Sequence, residues 1–210
     1  MTHLRSRQRG YTAVELMMAI SIFGIGVAGI ISMEKVTSVS NQHAKNLAIA
    51  THIAESWLDM LATDAVAWNH PSPGNPVPDL NTDTVWLKNV VTNANASSWF
   101  LPAYNAGFAF GPGFDALGNP VNTTTSLAGV QFCTHLRLSW LYPPPLTSDA
   151  GNGLIRAEVR VFWLRDGQAS PVSNLNPCDP TMPIANISAA TASSSFHFVQ
   201  KITAIRENMK

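Results

Sequence analysis

The sequence predicts an α+β protein in which one long N-terminal helix, fit for lipid in its first half, packs in its second half on a C-terminal antiparallel β-sheet. Three observations predict it. Residues 16–33 form a run of 18 residues without a formal charge. Apolar residues then recur at steps of three and four toward residue 68, and no proline occurs between Tyr11 and Trp68. Beyond residue 130 the apolar period changes to two, in three separate segments, which is the spacing of strands rather than of a helix.

The uncharged run comes first. As a helix rising about 1.5 Å per residue it covers about 27 Å, against a hydrocarbon core of about 30 Å. Arg5, Arg7 and Arg9 precede it with no acid among them, and the bias of positive charge toward the cytoplasm predicts one span with the N-terminus inside. Residues beyond about Lys35 are then outside. Glu15 stands at the head of this run, where a lone carboxylate costs about 2.5 to 3.5 kcal/mol at mid-bilayer and less near the interface. Either a partner charge offsets that cost or the acid snorkels to mark where the helix enters the membrane. A secretory signal peptide is cut after its apolar region, at small residues. No such site follows Met33, Ser38 and Ser40 being weak candidates. A cut before the run, after Gly10, keeps the helix in the mature protein.

Arg9-Gly10 followed by Tyr11-Thr12-Ala13-Val14-Glu15-Leu16 resembles the prepilin (class III) signal of type IV pilins and type II secretion pseudopilins. The resemblance implies that a membrane prepilin peptidase cuts after Gly10 and that Tyr11, where most members have phenylalanine, becomes the N-methylated first residue. It also implies a role for Glu15, which meets the free amine of a neighbouring subunit's Tyr11 during filament assembly. Within the helix Ser21, Gly24, Ala28 and Ser32 are spaced by three, four and four. They share one face, and such a stripe of small residues lets another helix approach closely where lipid supplies no hydrophobic drive. Residues 24–29 also spell G-x-G-x-x-G, but without the strand and amphipathic helix of a dinucleotide site. The three glycines loosen the helix instead, each by up to about 1 kcal/mol relative to alanine.

From residue 34 the helix becomes amphipathic. Leu47, Ala50, Ile53, Ala54, Trp57, Leu58 and Leu61 line one side, with Lys45, Asn46, His52, Glu55 and Asp59 elsewhere. A continuous helix of about 55 residues is about 80 Å long, a pilin layout lacking the helix-kinking prolines of many members. Residues 69–78 hold four prolines and end it. Residues 84–91 read as a strand or a helical turn. Residues 93–129, rich in Asn, Gly, Thr and aromatics, read as an extended connecting loop with short elements.

Three strands follow. Residues 130–142 alternate Val130, Phe132, Leu136, Leu138 and Trp140 against Gln131, His135, Arg137 and Ser139. Residues 154–165 alternate Ile155, Ala157, Val159, Val161 and Trp163 against Arg156, Glu158 and Arg160, and a proline-rich loop joins the two as a hairpin. Residues 196–206 offer Phe196, Phe198, Ile202 and Ala204 on one face. This pattern predicts a sheet with one face on the helix and one in water. The strands resemble those of PilV-like minor pilins, the pilus modification class. Cys133 and Cys178 are the only cysteines. An even count in an exported domain points to one disulfide formed in an oxidising periplasm, the alternative being two unrelated buried thiols.

Candidate chemistry is thin. Residues 79–83 begin with calcium-loop oxygen spacing, but Thr84 stands at the required glycine and Val90 at the twelfth position. The six histidines fall in no ligand spacing; His135 and His197 read as surface residues able to face each other across strands. No serine lies in a nucleophile elbow, and the sequons at Asn95, Asn122 and Asn186 carry no weight. The expected site list is therefore catalytic none, metal none and cofactor none. Formal charge is 0 with the leader and −3 without it, because the 13 bases lose Arg5, Arg7 and Arg9 while the 13 acids remain. With no basic run outside the leader, a nucleic-acid partner is not expected.

The domains read as leader (1–10), helix (11–68, transmembrane about 14–33 and amphipathic about 34–68), connecting region (69–129) and sheet with disulfide-stapled loop (130–210). The function implied is that of a minor type IV pilin. Its partners are other pilin subunits, the prepilin peptidase and the inner-membrane assembly machinery, and it passes from the bacterial inner membrane, with the C-terminal domain in the periplasm, to the cell-surface pilus. The alternatives are a minor pseudopilin of type II secretion and a signal-anchored periplasmic enzyme or binding protein.

Overall fold

The computed structural model describes residues 10–70, 73–74, 78–92, 98–142, 153–165, 178–179 and 196–206. Arg5, Arg7 and Arg9, the segment 143–152 expected as a hairpin loop, the sequons at Asn95 and Asn186, and most of the residues flanking Cys178 lie outside the described residues. The chain divides into two units, Met1–Lys45 and Asn46–Lys210, and helix α1 (Ala13–Asn69, 57 residues) runs through both.

In the first unit every described side chain is exposed. Thr12 caps the helix: its carbonyl accepts the Leu16 N–H at 3.2 Å and its hydroxyl accepts the Glu15 N–H at 3.3 Å. Such a cap supplies about 1 kcal/mol by satisfying an otherwise orphaned donor. Polar hydroxyls along the apolar helix donate inward, Ser21 to the Met17 carbonyl and Ser32 to that of Gly29, each at 2.8 Å. The helix is long and apolar enough to cross a membrane.

In the second unit α1 buries Ala50, Ile53, Ala54, Trp57, Leu61, Ala65 and Trp68. Leu47, expected on this stripe, is exposed. The turn around Gly118 reaches α1 at Ile49 and Ile53, and Leu47 lies before that contact. The helix ends at Asn69 because Pro71 disfavours helical backbone at His70. Asp79 then caps α2 (Leu80–Asp83), accepting the Asn81 N–H at 2.6 Å while the Asp83 carboxylate accepts the Asp79 N–H at 2.7 Å. The side chains with calcium-like spacing make these local turn contacts. Of the two readings for residues 84–91, the helical turn is found, as α3 (Asn89–Thr92).

Five antiparallel strands follow: β1 (Gly113–Phe114), β2 (Pro120–Val121), β3 (Phe132–Tyr142), β4 (Leu154–Leu164) and β5 (Phe196–Arg206), in the order β2-β1-β3-β4-β5. β3 starts two residues later than expected, because Gly129 adopts φ +81° and the Val130 N–H closes a turn on the Leu127 carbonyl. β1 and β2 form a hairpin inside the segment read as a connecting loop, and Phe110 and Phe114 from that segment join the core. Trp57 sits at its centre, edge-on to Trp86 and Phe110 at 5.4 and 4.8 Å between ring centres.

The register corrects two expectations about the faces. Phe162 pairs with Cys133 and Phe198, and Arg160 pairs with His135 and Gln200. Side chains alternate between faces, so Phe196, Phe198, Ile202 and Ala204 lie on the face away from α1, while Val199, Lys201 and Ile205 lie toward it. Ile205 is buried and Lys201 reaches Glu55 of α1 at 3.3 Å. The second face is also not simply in water, since His135, Glu158 and Phe162 on it are buried. His135 and His197 do not face each other. His135 lies opposite Arg160 and packs edge-on against Phe162 at 4.7 Å, and His197 pairs with Trp163 on the other side of β4.

Candidate assembly segment and outer sheet face

The segment at the head of α1 is open. Tyr11 is 85% exposed, and a Cβ added at Gly10 would meet nothing within 4 Å. Glu15 lies in the first helical turn, where a carboxylate interacts favourably with the helix dipole by about 0.3–1 kcal/mol. Among the described residues its carboxylate makes no hydrogen bond or ion pair. Thr12 and Glu15 have the Ser/Thr-x-x-Glu spacing of a capping box, a signal legible in the sequence that was not used.

Ser21, Gly24, Ala28 and Ser32 lie in the continuous helix, all exposed. Gly24, Gly26 and Gly29 each have open space where a Cβ would stand. The surrounding side chains are large and equally exposed, Ile22, Phe23 and Ile25 among them. A helix that is apolar all round calls for burial in a bundle or a membrane.

In the second unit Cys133 and Cys178 form a disulfide with Cα atoms 5.5 Å apart, closing a separation of 45 residues. Both are buried. The bond ties a loop residue to β3 on the face away from α1.

That outer face holds a charged cluster the sequence reading missed. Glu158 of β4, 2% exposed, accepts from Arg137 of β3 at 2.5 Å, from Arg156 at 2.8 Å and from Gln200 of β5 at 2.8 Å. Arg160 donates to the Gln200 side-chain oxygen at 2.9 Å and stacks its guanidinium 4.1 Å from the ring centre of Trp99. Arg137 lies 4.9 Å from the same ring. The antiparallel bridge between Phe100 and Leu136 holds Trp99 there, along the free side of β3. Burial, and then the nearby charge of Arg137, pull the Arg160 pKa below its ordinary value, with Glu158 opposing. The usable sequence signal was an acid flanked at two residues on either side by arginine, within one strand.

Asp64 was missed as well. It lies on the buried stripe of α1, three residues after Leu61 and four before Trp68, and is itself buried. Its carboxylate accepts the backbone N–H groups of Val85, Trp86 and Leu87 at 2.7, 2.8 and 2.9 Å, fixing the α2–α3 connection to the helix. An acid at core spacing was the signal. Among the described residues no group of histidines, cysteines and acids is arranged to hold a metal ion.

A family model described as the prokaryotic N-terminal methylation motif matches residues 5–31. No curated protein and no solved structure matches the chain. The matched segment runs from Arg5 through Gly10, Tyr11 and Glu15 into the small-residue stripe, and this motif supports a type IV pilin-like class III signal, as in a pilin- or pseudopilin-type precursor.

Proposed function

We propose that the chain is a minor type IV pilin, a structural subunit rather than an enzyme. It inserts with its N-terminus in the cytoplasm and its C-terminal domain in the periplasm, is cut after Gly10, is N-methylated at Tyr11, and is built into or primes a cell-surface pilus. The observation that carries this reading is the matched methylation motif, lying on an exposed Gly10-Tyr11 pair directly before the capped, fully exposed apolar first part of α1. The fold makes no demand for glycine at position 10, since a side chain there would touch nothing. The demand then comes from outside the chain, from an enzyme that must approach the backbone closely.

The same argument extends along α1. The glycines at 24, 26 and 29 are not required by any neighbour in the isolated chain, and small residues on an apolar helix serve the close approach of another helix. Ser21, Gly24, Ala28 and Ser32 form the face against which helices of other pilin subunits pack, and Glu15 meets the Tyr11 amine of a neighbour. Support for the PilV-like, pilus modification class comes from the style of β3 and β4 alone.

The test is the mass of the N-terminal peptide of the protein recovered from native cells. A start at Tyr11 with one added methyl group is the expected result. A start at Met1 or Thr2 would identify a signal anchor and overturn the proposal. Fractionation then separates the two filament readings: a minor pilin is recovered with sheared pili, whereas a type II secretion pseudopilin stays in the envelope and its loss blocks export.

A further inference from the structure

Among the described residues of β3, β4 and β5, the outer face of the sheet carries more arginine than acid. By register Arg137, Arg156 and Arg160 have their side chains on this face, and among the described residues of β3, β4 and β5 Glu158 is the only acid beside them. Glu158 is enclosed, both its oxygens taken by Arg137, Arg156 and Gln200. It compensates one charge and leaves a net of about +2 from Arg137, Arg156 and Arg160 on a face that also exposes Phe198 (50%) and Ile202 (53%). Exposed aromatic and aliphatic side chains interleaved with arginine, without lysine, are the composition of a protein interface rather than of a solvated surface. The lowered pKa of Arg160, caused by burial and by Arg137, agrees with an excess of positive charge there.

We propose that this face docks an extended acidic segment of a partner protein, with carboxylates at positions i and i+4 meeting Arg160 and Arg156 and an apolar side chain at i+2 resting on Ile202. The spacing follows from the strand. Arg156 and Arg160 are four residues apart on β4, about 13 Å at 3.3 Å per residue, and an extended peptide repeats the same distance between its own i and i+4 side chains. Ile202 lies opposite Glu158, midway between the two arginines. A nucleic acid has the right charge but the wrong surface. Trp99 is 8% exposed, with the guanidiniums of Arg137 and Arg160 stacked on its ring, so no ring row is offered for bases to stack on.

The test is fluorescence anisotropy of a labelled peptide carrying the segment Glu-Thr-Val-Thr-Glu, titrated with the full chain in detergent micelles. Saturable binding that weakens between about 50 and 300 mM salt is expected, absent for the peptide with glutamine at both acids. Ile202→Ser, a change at a half-exposed side chain that leaves the core alone, weakens binding about tenfold. Arg156→Ala does the same, with Arg137 and Gln200 still on Glu158. No saturation, affinity unchanged in both variants, or displacement of the peptide by a single-stranded oligonucleotide that binds more tightly would each overturn the proposal.

Discussion

At the scale of single residues the most consequential group is a buried carboxylate. Asp64 gathers three backbone donors onto one buried carboxylate, and removing an acceptor leaves each donor with its desolvation cost unpaid by any other partner. Asp64→Ala is therefore expected to lower the unfolding free energy by about 3 kcal/mol, read by urea titration of tryptophan fluorescence in detergent. Asp115 shows a weaker version in the open. Its carboxylate accepts from the side chain and backbone of Asn119 and from the backbone of Leu117, and these bonds, the Asn119 side chain first, hold its pKa below the usual 3.8. A depressed carboxyl pKa contributes stability that is present above the unfolded-state value and lost as pH falls through the folded-state value. The window thus lies at and below about pH 4. Carboxyl NMR should find Asp115 titrating below 3.8, and Asn119→Ala should move it up.

At the scale of elements, β3, β4 and β5 are joined on their outer face by one buried acid. Arg137, Glu158 and Gln200 come from the three strands in turn, and removing the acid leaves the guanidiniums without their counter-charge. Full removal of one partner from a buried pair costs about 3–5 kcal/mol. Because Arg137 and Arg156 are partly exposed, Glu158→Gln is expected near the lower end, about 3 kcal/mol, in the same urea titration. The disulfide acts differently, by constraining the unfolded chain: a loop of 45 residues is worth about 4 kcal/mol in the chain-entropy model. Replacing both Cys133 and Cys178 by serine should lower stability by no more than that and leave the N-terminal processing of the chain unaffected. How far these elements were legible follows from what fixes each one. α1 was readable because its period and its lack of proline are local properties, and β3 and β4 because each alternates cleanly on its own. β5 was read with its apolar residues as a face, and they are one, but the face away from the helix. Nothing within residues 196–206 says which side faces the core, because β4 sets the register and a one-residue shift would exchange every side chain between faces. β1 and β2, two residues each, are too short to show a period. Asp64 and Glu158 look like solvated acids until the neighbouring elements arrive.

At the scale of the whole molecule two chemistries share one helix. The second unit closes its own core around Trp57 and satisfies its buried acids internally, while the described part of the first unit, residues 10–45, leaves every side chain exposed. Such a helix needs surroundings the chain does not supply, and two substitutions separate its steps. Gly10→Val should leave full-length protein in the inner membrane, seen as an unprocessed band, with the second unit unchanged because nothing packs on that residue. Glu15→Gln tests the later step. On the proposed function cleavage concerns the backbone at Gly10, and the uncharged side chain removes a cost of up to about 3 kcal/mol for a carboxylate in lipid, so processing and insertion should proceed normally. In a filament, the Tyr11 amine of a neighbour would lose its counter-charge in a low-dielectric core, and leaving a buried charge unpaired costs about 3–5 kcal/mol per contact. Recovery of the variant in sheared pili should accordingly fall by more than tenfold, about 1.4 kcal/mol being enough for each factor of ten. Unchanged recovery would assign Glu15 only to the capped first turn it occupies with Thr12, a role worth about 0.3–1 kcal/mol and too small to govern assembly.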